Sequence, residues 1–155
     1  MPITTAELEY PVIALCGRGI IEVREDEDIL TTATSRELGT HWFDTMTIVD
    51  CNGTAVDVKG ARFVSGKGRF WGYTLYFSRI IKVDLRLDDK VSIMSLEELK
   101  KKVMSFAKKS FQSIDPDYAQ EELRKLSAAQ SIRELIEGLS PHLGSRDFYQ
   151  TLKKF

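Results

Sequence analysis

The residue types that do chemistry are few in this chain and badly spaced for it. Histidine occurs twice, at His41 and His142, and neither has Cys, Asp or Glu at the spacing of a metal ligand set. Cys16 and Cys51 each sit in turn-like sequence beside Gly or Asn, and a catalytic thiol would need a base at hand. No residue at a diagnostic spacing supplies one, so the ordinary reading is two plain thiols. Gly17-Arg18-Gly19 and Gly66-Lys67-Gly68 resemble pieces of phosphate loops, but neither completes a Walker or dinucleotide pattern, and hairpin turns account for both. Asp50 and Asn52 begin like a calcium loop, and the twelve-residue ligand pattern does not follow. The residues point to no catalytic constellation, no metal and no cofactor.

The most suggestive feature is a charge asymmetry. Between Lys59 and Arg86 the bases Lys59, Arg62, Lys67, Arg69, Arg79, Lys82 and Arg86 face only one acid, Asp84. They are interleaved with Phe63, Phe70, Trp71, Tyr73, Tyr76 and Phe77. Basic sheets with exposed aromatics bind single strands by neutralising phosphates and stacking bases. The same aromatics are also the best available core, and the chain as a whole carries a net charge of −1. Lys67, Arg69, Trp71, Arg79, Lys82 and Arg86 form the candidate partner-binding surface, with another protein as the expected partner and nucleic acid as the alternative.

The elements that position these residues follow from periodicity. Ile81, Val83, Leu85 and Leu87 alternate with Lys82, Asp84 and Arg86, the period of a half-buried strand. The stretch from Arg69 to Leu87 reads as two strands, or one long bent strand, at the centre of an antiparallel sheet. Residues 11–15 and 19–24 read as a hairpin, with Pro11 suited to a strand start. The acidic run Glu25–Asp28 favours a helix start, and a short helix over 27–37 ending at Gly39 is expected, weakened by the threonines at 31, 32 and 34. Residues 43–50 resume the sheet with Met46 and Ile48 inward. Asn52-Gly53 is a strong hairpin signal leading to a return strand over 54–64, with a bulge at Gly60.

From Asp88 the period changes. Ser95-Leu96-Glu97-Glu98 is a capping box and opens a helix over 96–109, with Leu96, Leu99, Val103 and Phe106 on one face. Asp115-Pro116 opens a second helix to about Leu126, and Ser131-Ile132-Arg133-Glu134 a third, stopped by Pro141 and Gly144. Residues 145–152 read as a last short turn or helix. Strands first and helices last argue a single α+β domain over 1–155, strand-rich at 10–88 and helical at 95–153. About six antiparallel strands are expected, their apolar face covered by the C-terminal helices. The amino terminus has no basic region before an apolar run, and no apolar run reaches the ~20 residues of a membrane helix. Two thiols without a framework fit a reducing compartment, so a cytoplasmic protein is expected, though the sequence leaves open a bridge between the two cysteines.

Taken together, Tyr10-Pro11-Val12-Ile13, Leu30-Thr31-Thr32, Ile48-Val49-Asp50 with Asn52-Gly53, and Gly68-Arg69-Phe70-Trp71-Gly72-Tyr73 resemble a loosely defined group of small bacterial proteins. The strand Ile81–Leu87, the Ser-Leu-Glu-Glu helix start and the Ser131–Ile136 ending extend that resemblance over most of the chain. Some members of the group resemble immunity proteins of contact-dependent or polymorphic toxin systems. The resemblance implies a non-enzymatic protein that binds a toxin domain, and it carries no catalytic residue.

Overall fold

The computed structural model describes residues 3–16, 21–39, 42–66, 80–110 and 115–143. The first strands are β1 (Val12–Leu15) and β2 (Ile21–Arg24), paired antiparallel. Then come α1 (Glu27–Leu30), β3 (Thr32–Thr34), α2 (Ser35–Gly39), β4 (Thr47–Val49), β5 (Thr54–Gly66) and β6 (Ile80–Ile93). The helices α3 (Leu96–Ser110), α4 (Pro116–Ser127) and α5 (Ile132–Leu143) follow. The six strands form one curled antiparallel sheet in the order β2-β1-β4-β5-β6-β3. The expected α+β architecture is therefore present, with β6 one strand in from an edge rather than at the centre. The aromatic half of the stretch read as the sheet centre, residues 69–79, lies outside the described residues. So do the turns read at 17–19 and 66–68 beyond Gly66, and the expected element at 145–152.

Strand β1 is buried on both faces, which is why Val12-Ile13-Ala14 is a continuous apolar run. Ile13 faces one core with Ile21, Val23, Val49, Cys51 and Ala55, and there α3, α4 and α5 bring Leu99, Val103, Ala119, Leu126, Leu135, Ile136 and Leu139. Val12 and Ala14 face the other core, inside the curl, with Ile48, Val56, Val58, Ile81, Val83, Leu85 and Leu87. Leu8, Leu30, Ala33, Phe43 and Met46 close that side. The C-terminal helices cover the sheet as expected, on one side, over β1, β2, β4 and the start of β5. The curl itself buries Ile81–Leu87.

The helix expected over 27–37 is three elements. Asp26 caps α1 by accepting from the Ile29 amide at 2.9 Å. The Thr31 and Thr32 hydroxyls then donate back to the Glu27 and Asp28 carbonyls at 2.9 and 2.6 Å. Such back-bonding competes with helix propagation. The chain leaves the helix and Thr32–Thr34 pair with Lys82–Ile80 of β6. In the same way residues 42–45 form a 3-10 turn before the short β4. Strand β6 continues to Ile93, past the change of period at Asp88, because the register with β5 resumes at Val56↔Val91 after an irregularity that absorbs Asp88–Lys90. The irregularity expected near Gly60 is present between Val58 and Gly60. Of the two residues expected to stop α5, Pro141 lies inside its last turn, and the helix runs to Leu143, the residue before Gly144.

One buried guanidinium ties the sheet's two edges. Arg24 of β2 is 1% exposed. Its Nη1 donates to the Thr32 carbonyl of β3 at 3.4 Å and to the Ile29 carbonyl at 3.3 Å. Its Nη2 pairs with Glu22 at 2.5 Å, and Glu37 lies 4.0 Å away.

The β4–β5 turn is organised by Asp50. Its Oδ1 accepts from the Asn52 and Thr54 amides, both at 2.9 Å, and its Oδ2 from the Glu9 amide at 3.1 Å. Gly53 has φ +85°, and a Cβ there would stand 2.8 Å from the Met94 carbonyl oxygen and 3.0 Å from Ile132 Cδ1. Gly53→Val should therefore destabilise by about 2–4 kcal/mol in urea unfolding, combining backbone strain with a clash. An unchanged midpoint would contradict this turn geometry. On α3, Leu99 is fully buried while Phe106 is only half-buried. Leu99→Ala should cost about 2–5 kcal/mol, and Phe106→Ala clearly less than the roughly 3–5 kcal/mol of a fully buried phenylalanine. The reverse ranking would place the wrong face of α3 on the sheet.

Candidate functional site

Alternation along β6 sends Ile81, Val83, Leu85 and Leu87 into the curl and Lys82, Asp84 and Arg86 to its outer face. Across the register, Arg62 of β5 stands opposite Asp84. Its Nη2 meets Asp84 Oδ2 at 2.9 Å, with the two side chains 79% and 59% exposed. One step along, Lys59 Nζ lies 3.2 Å from Asp88 Oδ2. The Lys90 amide first, and Lys59 second, hold the Asp88 carboxyl below its usual range. Exposed pairs of this kind are screened by water and add little stability, so the ladder shapes the surface more than it stabilises the fold.

Of the six residues assigned to a partner surface from sequence, Lys82 and Arg86 share the described outer face. Lys82 is half-buried and Arg86 exposed, and neither makes an ion pair among the described residues. Lys67, Arg69, Trp71 and Arg79 lie outside the described residues. The excess of bases counted along the sequence is moderated in three dimensions. Asp84 neutralises Arg62, and Asp88, just beyond the counted stretch, neutralises Lys59. Phe63 and Val64 of β5 are 46% and 50% exposed, and Phe63 stands opposite Val83 in the register, on the side of the hairpin away from the ladder. At the other end of β6, Val91 and Ile93 are also exposed.

Next to the ladder lies a cleft of about 570 Å³. One wall is Ile3, Thr4 and Thr5; the other comprises Gly60–Arg62 and Asp84–Leu87. The amino-terminal wall is a 3-10 turn over Thr5–Glu7, whose Thr4 amide donates to Glu7 Oε2 at 2.8 Å. Thr5 Oγ1 donates to Glu27 Oε1 at 3.1 Å, and the Tyr10 hydroxyl donates to the Thr5 carbonyl at 2.8 Å. Sequence reasoning missed this wall. The Thr4-x-x-Glu7 spacing is the local signal for the turn, but nothing local says that it faces β6.

The two thiols do not meet. Cys16 belongs to the core inside the curl, Cys51 to the core under the helices, and both are free. Burial, the largest influence on each, pushes Cys16 up to about 12 and Cys51 up to about 11. Cys51 Sγ also donates to the Pro11 carbonyl at 2.9 Å. His41 and the side chain of His142 lie outside the described residues. Among the described residues no group of three or more His, Cys, Asp or Glu is placed to hold a metal ion. Asp50, which begins a calcium-like pattern, spends its oxygens on main-chain amides instead. Among the described residues no helix is long and apolar enough to cross a membrane.

Comparison with known proteins finds no matching family model, no matching curated protein and no matching solved structure.

Because reactivity follows the thiolate, both cysteines should be inert in the folded protein. At pH 8, titration with a chromogenic disulfide reagent should be slow in buffer and should release two equivalents in denaturant. Rapid reaction of either thiol in the native state would contradict its burial.

Proposed function

We propose that this protein is a non-enzymatic protein-binding domain whose partner meets the outer face of β5 and β6. The observation that supports this reading is the composition of that face. It is a ladder of paired and unpaired charges, Lys59–Asp88, Arg62–Asp84, Lys82 and Arg86, beside the exposed Val64. A mixed-sign, polar surface of this kind fits the rim of a protein–protein interface. Fixed charges there select a partner and speed association more than they add affinity. A uniformly basic surface would suit a phosphate backbone better, and the two carboxylates in the ladder work against that. The resemblance to immunity-like proteins supplies the biological setting: a bacterial cytoplasmic protein that neutralises a toxin domain.

Coexpression with the products of its flanking genes should yield a stoichiometric complex with one of them. Reversing Lys82 and Arg86 together (Lys82→Glu with Arg86→Glu) should slow association with an acidic partner at least tenfold while leaving the unfolding midpoint in place. Failure to form any such complex would remove the support for this reading. A salt-sensitive shift of labelled single-stranded RNA at micromolar protein, lost in the double reversal, would replace it with nucleic-acid binding.

A further inference from the structure

The cleft beside the charge ladder contains an unfinished sheet edge. Strand β3 pairs with β6 only at Ile80, Ile81 and Lys82, and the last contact on that side is the Val83 amide donating to the Thr31 carbonyl at 2.8 Å. In an antiparallel strand, alternate residues present their amide and carbonyl to the same neighbour. Leu85 and Leu87, two and four residues beyond Val83, therefore present theirs to the β3 side, away from β5. Among the described residues no strand pairs with β6 there. The wall formed by Ile3–Thr5 stands across the cleft and makes no main-chain hydrogen bond to β6 among the described residues.

The chemistry of the cleft narrows what could fill it. An open main-chain row on β6, one of the strands that wall the cleft, suits an extended chain, because an added strand satisfies donors and acceptors in alternation. Ile3, Ala61, Leu85 and Leu87 make its lining partly apolar. At Gly60 nothing stands within 4 Å of where a Cβ would be, so the lining is open at that point. Arg86 lines the same cleft, is exposed, and has no ion-pair partner among the described residues. Its acidic neighbours Asp84 and Asp88 pair with Arg62 and Lys59 instead. An occupant that brings a carboxylate to Arg86 gains a bidentate, charge-assisted pair.

We infer that the β6 edge at Leu85–Leu87 is the docking row for an extended, acidic segment of a partner protein, which pairs main chain to main chain and sets a carboxylate against Arg86. This rests on the protein-binding reading above and makes it specific.

Two measurements on the full-length protein test it. In amide hydrogen exchange of the free protein, Leu85 and Leu87 should exchange at least tenfold faster, relative to their intrinsic rates, than Asp84 and Arg86, which face β5. Equal protection would mean that the edge is already occupied and would overturn the inference. The second measurement titrates an acetylated eight-residue peptide of alternating threonine and valine with one central glutamate, followed by amide chemical shifts. Saturable shifts should centre on Leu85 and Leu87, and a central lysine should weaken binding at least fivefold. Arg86→Glu should reverse that preference. Shifts that are absent, lie elsewhere, or ignore the peptide's charge would overturn the inference. The two proposals fail separately. A complex with a flanking-gene product that leaves the Leu85 and Leu87 amides unprotected defeats the edge and keeps protein binding. Absence of any complex defeats protein binding, whatever the exchange pattern.

Discussion

The curl of the sheet depends on a guanidinium buried between its two edges. Strands β2 and β3 are first and last in the sheet order, and Arg24 of β2 reaches the Thr32 carbonyl of β3. Removing a guanidinium from water is expensive unless its donors are met and its charge is balanced. Here Glu22 and Glu37 supply the charge, and the Ile29 and Thr32 carbonyls accept from it. An arginine suits this position because its planar fork can serve several acceptors at once and stays charged. With the edges drawn together, the inward residues of β6 find Leu30, Ala33, Phe43 and Met46 across the curl and need no helix to cover them.

That closure decides where the charged surface falls. The helices are occupied with the other side of the sheet, over Ile13, Val49 and Ala55. Strands β1 and β4 are short and covered on both faces. Strands β5 and β6 are 13 and 14 residues long and run past both covers. Their outward residues beyond the helices must therefore be compatible with water, and they are Lys59, Arg62, Lys82, Asp84 and Arg86. The proposed partner surface is in this sense a consequence of strand length: the part of the two longest strands that neither core needs.

What was legible in the sequence was what is local. Alternation from Ile81 to Leu87 gave the correct inward and outward sets. The two capping boxes and the Asp115-Pro116 start placed the beginnings of three helices, because caps act on the first turn. The Asn52-Gly53 turn was legible because positive φ is a property of single residues. What depended on distant partners was not. The segment from Glu27 to Gly39 carries a helix start, and only its pairing with Ile80–Lys82 reveals a strand inside it. The charges at Asp88–Lys90 hide the rest of β6, because an irregular register places polar residues where alternation expects a break. The same limit applies to the site. Sequence put Lys82 and Arg86 on one face, yet it could not show that Asp88 reaches Lys59. Nor could it show that Ile3–Thr5, more than fifty residues away in the chain, walls the cleft beside them.

The curl alone buries the inward face of β6 and leaves the outer face of the hairpin exposed. Methyl relaxation in the presence of a soluble, uncharged paramagnetic chelate reads that burial residue by residue. The methyls of Ile81 and Val83 should be shielded as completely as those of Ile13 and Val49 under the helices, while those of Val64 and Ile93 broaden strongly. Broadening of Ile81 and Val83 to the level of Ile93 would show that the curl is open and would contradict the burial of this face.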